Sequence, residues 1–220
     1  MGKKIVSITL TVIFGAAALS LAYWLFVIIS TPIMFESEQR EREAAVISRI
    51  KDIRNAERQF KSKYQRFTAD FDTLINFVLT EEIQGERKII DEDDSVAMAQ
   101  AKLKARKERR QFKNVETFKI SVKDSLFKHL TVEQIKQLRY VPYSTNNTEF
   151  ILKAGMLTTE SKVVIPVVEC RTPYVAFLDT VKYRQEIINL IDNMKNNFNR
   201  YPGIMFGSME RGNNEAGNWE

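Results

Sequence analysis

The segment IVSITLTVIFGAAALSLAYWLFVII, residues 5–29, contains no Asp, Glu, Lys, Arg or His. An α-helix rises about 1.5 Å per residue, so a helix of this length crosses the hydrocarbon core of a bilayer, which is about 30 Å thick. We therefore predict a transmembrane signal-anchor helix at 5–29, after a cytoplasmic stub at 1–4. Residues 30–220 then have a length that suits one extracytoplasmic domain.

A cleaved signal peptide is the alternative interpretation of this segment. Lys3 and Lys4 would form its basic start, and the small residues Ala16-Ala17-Ala18 would suit a peptidase. However, apolar residues continue through Trp24 to Ile29, whereas the apolar region of a signal peptide usually has about 7 to 15 residues. The length favours a retained anchor over a cleaved signal.

The charges on either side of the segment predict its orientation. Lys3 and Lys4 precede it without an acidic neighbour, and the arginines that follow it are offset by glutamates. The positive-inside rule therefore predicts a cytoplasmic amino terminus. In a bacterium the chain would lie in the inner (cytoplasmic) membrane with its domain in the periplasm. The single cysteine, Cys170, suits that oxidising compartment.

Residues 35–64 predict an amphipathic helix that continues from the anchor after Pro32. Apolar residues recur there at intervals of three or four, which is typical of one buried helix face. That face, available for packing or interaction, is predicted to contain Val46, Ile50, Ile53, Ala56, Phe60 and Tyr64. Arg54, Glu57 and Arg58 are predicted to lie on a solvated face.

The rest of the domain changes from helical to strand-like patterns. Thr68 and Asp70 are capping residues for a second helix, and the charged insertion at about 81–113 is predicted to be exposed and helical near 96–105. Strands are predicted near 118–122, 140–143, 149–152, 162–170 and 201–206, and a third helix at 179–196. Pro166 suggests an edge strand. Helices followed by antiparallel strands indicate an α+β fold.

The sequence offers little for catalysis. His129 is the only histidine and has no identifiable nucleophile or carboxylate partner, and Cys170 ends an apolar strand. We therefore expect a protein that is not an enzyme. The net charge of +5 is small, and the basic run from Lys102 to Lys113 lacks aromatic residues, so no nucleic-acid partner is expected.

The Gly- and Asn-rich tail at 207–220 has two possible roles. Asn213, Asn214 and Glu215 offer oxygen ligands of the kind that calcium prefers, and nearby glycines permit tight turns. Alternatively, the tail is exposed and Trp219 folds onto the sheet.

Two short stretches resemble type IV pilins and type II secretion pseudopilins. Residues 53–67, IRNAERQFKSKYQRF, look like the end of the pseudopilin helix. Ala216-Gly217-Asn218-Trp219 is similar to the Gly-Asn-Trp end of major pseudopilins, whose neighbouring loop holds calcium. The resemblance implies a pilin-like fold: an anchored helix on a small antiparallel sheet. Gly2 is followed by Lys3 and by no glutamate at the fifth position, so prepilin cleavage is not implied.

The whole chain also looks like a bacterial family of single-pass envelope proteins that carry Arg-Tyr-Pro-Gly, here 200–203, and end in Gly-Asn-Trp-Glu, here 217–220. We therefore expect a non-enzymatic envelope protein whose partners are the lipid bilayer and other envelope proteins. The alternative is an extracytoplasmic domain that binds or senses a ligand or cargo.

Overall fold

A computed structural model describes residues 2–89, 94–108, 111–112 and 115–220. The fold is α+β, as predicted, with a long amino-terminal helix and two small antiparallel sheets in this part of the chain. The helices are α1 (Gly2–Tyr64), α2 (Phe71–Thr80), α3 (Ser95–Lys107), α4 (Val122–Leu126), α5 (Val132–Lys136) and α6 (Arg184–Asp192). The strands are β1 (Glu82–Lys88), β2 (Val115–Ser121), β3 (Ile151–Thr158), β4 (Val164–Pro173) and β5 (Gly203–Gly207).

The predicted anchor and the predicted amphipathic helix form one continuous helix, α1. Pro32 lies inside α1. A proline has no N–H to donate to the carbonyl four residues earlier, here that of Ile28. In the same turn the Thr31 hydroxyl donates to the Val27 carbonyl at 2.7 Å. Within the described residues, α1 is the one helix long and apolar enough to cross a membrane, and it lies near the amino terminus.

The carboxyl-terminal part of α1 forms the centre of the core. Ile50 and Ile53 are fully buried, and the Phe60 ring packs edge-on against Phe77 of α2 at 5.2 Å between centroids. This confirms that the apolar spacing marks a packing face. Tyr64 ends that face at the rim, where 43% of the residue is exposed.

The start of α2 follows the predicted capping chemistry. Asp70 adopts an extended backbone conformation, and its carboxylate accepts the N–H groups of Asp72 and Thr73. These bonds satisfy backbone donors that have no partner inside the helix. Leu74 and Val78 of α2 then pack in the common core with α1. A capping box at Thr131 and Gln134 begins α5.

The first sheet pairs β1 with β2, from Glu82 opposite Ser121 to Lys88 opposite Val115. Strand β1 lies in the insertion, for which a helix near 96–105 but no strand was predicted, and α3 confirms that helix. Strand β2 was predicted to include Val122, but Val122 begins α4 and donates its N–H to the Glu81 carbonyl. Part of the predicted insertion, including residues 91–93, lies outside the described residues.

The second sheet has the order β3-β4-β5. Strand β4 is therefore central, whereas Pro166 had suggested an edge. Strand β5 pairs only with Glu169–Pro173 of β4, so Pro166 has a paired neighbour, Met156, on the β3 side alone. Strand β5 begins and ends with a glycine. At the first, Gly203, a Cβ atom would lie 2.1 Å from the Thr172 carbonyl oxygen. The sheet brings Cys170 and Phe206 into the core.

Two predicted elements differ in extent. In place of the strand predicted near 140–143, Tyr140 forms a single bridge with Glu149, and β3 begins at Ile151. The third helix, predicted from residue 179, begins at Arg184, because the Asp179 carboxylate accepts two N–H groups, those of Val181 and Lys182, and holds a turn there. It continues as a short π-helix at Asn193–Asn197.

Candidate functional site

The carboxyl-terminal tail lies on three cationic side chains of α1. The Arg54 guanidinium is 2.6 Å from a Glu220 carboxylate oxygen. The two oxygens of the Glu215 carboxylate lie 3.2 Å from Arg58 and 3.3 Å from Lys61. Positions 54, 58 and 61 are four and three residues apart, so they share one side of the helix. We call this arrangement the tail clamp: Arg54, Arg58, Lys61, Glu215 and Glu220.

The tail also pairs with β5. Gly217 forms a bridge with Phe206, and the Gly207 N–H donates to the Ala216 carbonyl at 3.0 Å. The Asn218 side-chain amide forms two hydrogen bonds with β5: its Oδ1 accepts the Met205 N–H, and its Nδ2 donates to the Gly203 carbonyl. The tail therefore covers the outer edge of β5 and links the second sheet to α1.

Trp219 is held between the tail and α1. Its ring is partly buried against the core, and the Arg54 guanidinium carbon lies 5.6 Å from the ring centroid. A Cβ atom at Gly217 would lie 2.5 Å from this ring, so the glycine leaves room for it. Trp219 thus packs on the domain.

The residues predicted to bind calcium lie close together, and cationic side chains of α1 lie beside them. Glu215 is buried and its carboxylate already faces Arg58 and Lys61, while the Asn214 carbonyl accepts from Arg58 at 3.3 Å. In the described residues, no group of three or more His, Cys, Asp and Glu side chains could hold a metal ion. Calcium at Asn213, Asn214 and Glu215 stays a prediction.

The prediction of a solvated face on α1 is wrong at two positions. Arg54 is largely covered by the tail, with 12% of its side chain exposed, and Glu57 is 0% exposed. The spacing contained the signal for Glu57, since this residue follows Ile53 by four positions and precedes Phe60 by three. Its place on the apolar face was missed because a glutamate is rarely fully buried.

Glu57 is a buried carboxylic acid at the junction of α1 with the loop before α2. Its Oε2 accepts the Thr68 N–H at 3.1 Å, and its Oε1 has no hydrogen-bond partner. Burial raises the pKa of Glu57 to about 8, against the lowering effect of the Thr68 hydrogen bond. The side chain is therefore mostly protonated and neutral at pH 7, so the core avoids an unpaired charge.

Cys170, the only cysteine, lies fully buried in β4. Burial raises the pKa of its thiol well above the ordinary value, and a negative charge on Glu57 would raise it further. A thiol with a raised pKa is a poor nucleophile because the thiolate is the reactive form. The structure thus places Cys170 as a packing residue.

His129 lines a shallow pocket of about 410 Å³ together with Ser48 and Asp52. These residue types are those of a nucleophile, a base and an orienting carboxylate. In the described part of the chain, no hydrogen bond joins any two of the three. Burial raises the pKa of Asp52, and the neighbouring charges of His129 and Arg49 oppose that rise. The geometry brings the three side chains near one another without linking them for proton transfer.

A larger open cleft, of about 660 Å³, lies between the end of α1 and the first sheet. Lys63 and Glu81 form an ion pair at its wall, and the Tyr64 hydroxyl donates to the same carboxylate at 3.2 Å. Its lining is polar, with the apolar side chain of Ile83 among charged and amide groups. Ligand pockets usually have volumes of about 300 to 1,000 Å³, so the cleft has room for a small polar molecule.

Comparisons of the chain with protein-family models, with curated proteins and with solved structures find no match.

Proposed function

We propose that this protein is a non-enzymatic envelope protein, held in a bacterial cytoplasmic membrane by the first part of α1. Its pilin-like α+β domain lies in the periplasm and makes structural or assembly contacts with other envelope proteins. The observation that supports this proposal most strongly is the continuity of α1. Large apolar side chains between Val12 and Met34 are exposed, whereas the same helix forms the core of the domain from Val46 to Phe60.

This continuity has a mechanical consequence. A flexible linker would let a domain move freely above its anchor, whereas a helix that runs from the anchor into the core fixes the position of the domain. The tail clamp then ties the second sheet to the same helix. Rigid mounting suits a protein that must present one surface to fixed neighbours in the envelope.

The second sheet has one edge available for such contacts. The tail covers β5, while β3 pairs only with β4 among the described residues. An edge strand with unpaired backbone groups can accept a strand from another protein. Met156 of β3 is 61% exposed, so this edge also offers an apolar side chain. We propose that envelope partners bind along β3.

In-cell crosslinking tests the proposed assembly role. A photoreactive amino acid at Met156 is expected to give crosslinks to other envelope proteins, identified by mass spectrometry. The same amino acid at Lys51, on the exposed side of α1, serves as the control. Equal yields at both positions would contradict a specific contact along β3.

A fusion of alkaline phosphatase after Glu220 tests the proposed location. Phosphatase activity is expected, since the enzyme folds only in an oxidising compartment and Lys3 and Lys4 favour a cytoplasmic amino terminus. Activity of a cytoplasmic reporter at the same position would contradict the proposed orientation.

The cleft beside Lys63 and Glu81 supports the alternative function, a domain that binds or senses a small polar ligand. Measuring which members of a metabolite pool bind to the full chain in detergent distinguishes the two functions. A ligand whose binding is lost in Lys63→Ala, with Met156 crosslinks absent, would favour the sensing function.

A further inference from the structure

The domain approaches the apolar part of α1 most closely through one loop, residues 177–183. The Phe177 carbonyl accepts from Arg42 at 2.7 Å, and Lys182 forms a 3.2 Å ion pair with Glu38. The Tyr183 ring then lies 5.3 Å from Phe35. The loop therefore descends along α1 from residue 42 to residue 35, towards the proposed membrane span.

Phe35 marks the end of the uncharged part of α1. No charged residue occurs between Ile5 and Phe35, and Glu36 is the first acidic residue of the chain. At about 1.5 Å per residue, Phe35 lies roughly 9 Å beyond Ile29 along the helix. The headgroup layer adds about 5 to 8 Å to each side of the hydrocarbon core. The contact between Phe35 and Tyr183 thus lies near the outer boundary of the headgroups.

Apolar side chains are exposed on this loop and beside it. Val181, in the turn held by Asp179, is 92% exposed. It lines a groove of about 500 Å³ with Val175, Ile187, Ile188 and Ile191, beside the cation Arg184. On α1, Ile33 and Met34 are exposed just before the loop contacts begin. We call Val175, Val181 and Ile188 the juxtamembrane patch.

We infer that the juxtamembrane patch rests on the bilayer that holds α1, with Val181 inserted among the lipid headgroups. The occupant is a lipid surface because the patch is fixed to α1 where the uncharged part of that helix ends. Exposed apolar residues beside a cationic side chain are typical of surfaces that bind at the membrane interface, particularly with anionic lipids. Such a contact would set the tilt of the domain, since α1 and the patch provide two separate attachments.

This inference rests on the proposed membrane anchor, and its test separates the two. Cys170 is the only native cysteine, so Cys170→Ala gives a background for single labels. Val181→Cys in that background is labelled with an environment-sensitive fluorophore, and the full chain is reconstituted into vesicles of phosphatidylethanolamine and phosphatidylglycerol. Met156→Cys is the matched control, because Met156 is also exposed and apolar but pairs with Pro166, which lines a pocket with Lys61 at the far end of α1.

The label at position 181 is expected to show blue-shifted emission and to be quenched by lipids that carry a nitroxide headgroup. The label at position 156 is expected to show neither effect. If the chain sediments with the vesicles while both labels report water, the patch does not contact the bilayer and the inference is wrong, although the anchor stands. If the chain fails to sediment with the vesicles, both the anchor and the inference fail. Protection of position 181 that appears only at high protein-to-lipid ratio would identify a second copy as the occupant and overturn the inference.

Discussion

The two parts of α1 are both rich in apolar residues, yet their environments are opposite. We call Val12–Met34 the apolar part and Val46–Tyr64 the striped part. The large apolar side chains of the apolar part are exposed, whereas Ile50 and Ile53 in the striped part are fully buried. The difference lies in the spacing, since apolar residues surround the helix in the first part and recur every three or four positions in the second. Spacing, more than content, determines whether a helix faces lipid or its own domain.

The comparison also explains how one continuous helix can have two different surroundings. A contiguous apolar surface of this extent is unusual on a protein surrounded by water. The striped part hides its apolar face under α2 and the second sheet, while the apolar part has no such cover in the described residues. Changes of the same chemical kind in the two parts are therefore expected to have different effects.

The largest difference is expected for a charge placed in either part. Ile53→Asp puts an unpaired carboxylate in the core and is expected to lower the free energy of unfolding by more than about 4 kcal/mol. Ile28→Asp is the matched change in the apolar part, where the side chain is exposed. It is expected to leave thermal unfolding of the domain in detergent unchanged and to reduce the amount of protein in the membrane fraction. Equal losses of domain stability would contradict the comparison.

Glu57 gives the striped part a pH dependence that the apolar part lacks. The folded state keeps its proton up to a pKa of about 8, whereas the unfolded chain loses it near the ordinary glutamate pKa of 4.5. The folded state thus binds more protons between these values, and stability is expected to fall as pH rises through this window. The fall is up to about 1.4 kcal/mol per pH unit.

Denaturant unfolding of the full chain in detergent at several pH values between about 5.5 and 7.5 measures this slope. Glu57→Gln, which resembles the protonated acid in shape and hydrogen bonding, is expected to remove most of it. A slope that is the same in both proteins would show that Glu57 is ionised in the folded state.

Replacing each of the two tryptophans with alanine gives a matched pair of variants, with an expected difference in stability of intermediate size. Trp219→Ala removes a ring that packs on the striped part and is expected to lower the free energy of unfolding by about 2 kcal/mol. Trp24 lies in the apolar part and is exposed, so Trp24→Ala is expected to leave domain stability unchanged. Thermal unfolding of both variants tests this, and an unchanged melting temperature for Trp219→Ala would mean that the tail is not part of the fold.

Calcium is expected to have the smallest effect. If Asn213, Asn214 and Glu215 bind it, chelation is expected to lower the stability of the full chain by about 1 kcal/mol, as for a weak extracellular site. Asn213→Ala is expected to abolish that loss without breaking the ion pairs of Glu215 with Arg58 and Lys61. A melting temperature unaffected by chelation would exclude calcium and leave the tail clamp in place.

The sequence predicted the features that depend on residues close together in the chain. The apolar stripe through Ile50 and Ile53, the Asp70 cap and the exposed apolar segment all follow from spacing within a few turns. The sequence did not predict β1, because its residues lack apolar alternation and its pairing with β2 depends on a distant partner. The tail clamp was also missed, since Glu215 meets Arg58 across most of the chain.

Glu57 was a different kind of miss. Its spacing placed it on the buried stripe, but its charge suggested a solvated position. The free-energy cost of burying this glutamate is reduced because the side chain takes up a proton. Whether it takes up a proton depends on the surrounding core, which the local sequence does not describe.

The central claim, that the apolar part of α1 is a retained membrane anchor continuous with the core, is tested most directly by locating the intact chain. Cells are fractionated, the membranes are washed at alkaline pH, and the amino terminus of the recovered protein is determined by mass spectrometry. The full chain, with Lys3 and Lys4 still present, is expected to remain in the washed membranes. A soluble periplasmic protein that begins near Leu19 would contradict the claim and show that the segment is a cleaved signal.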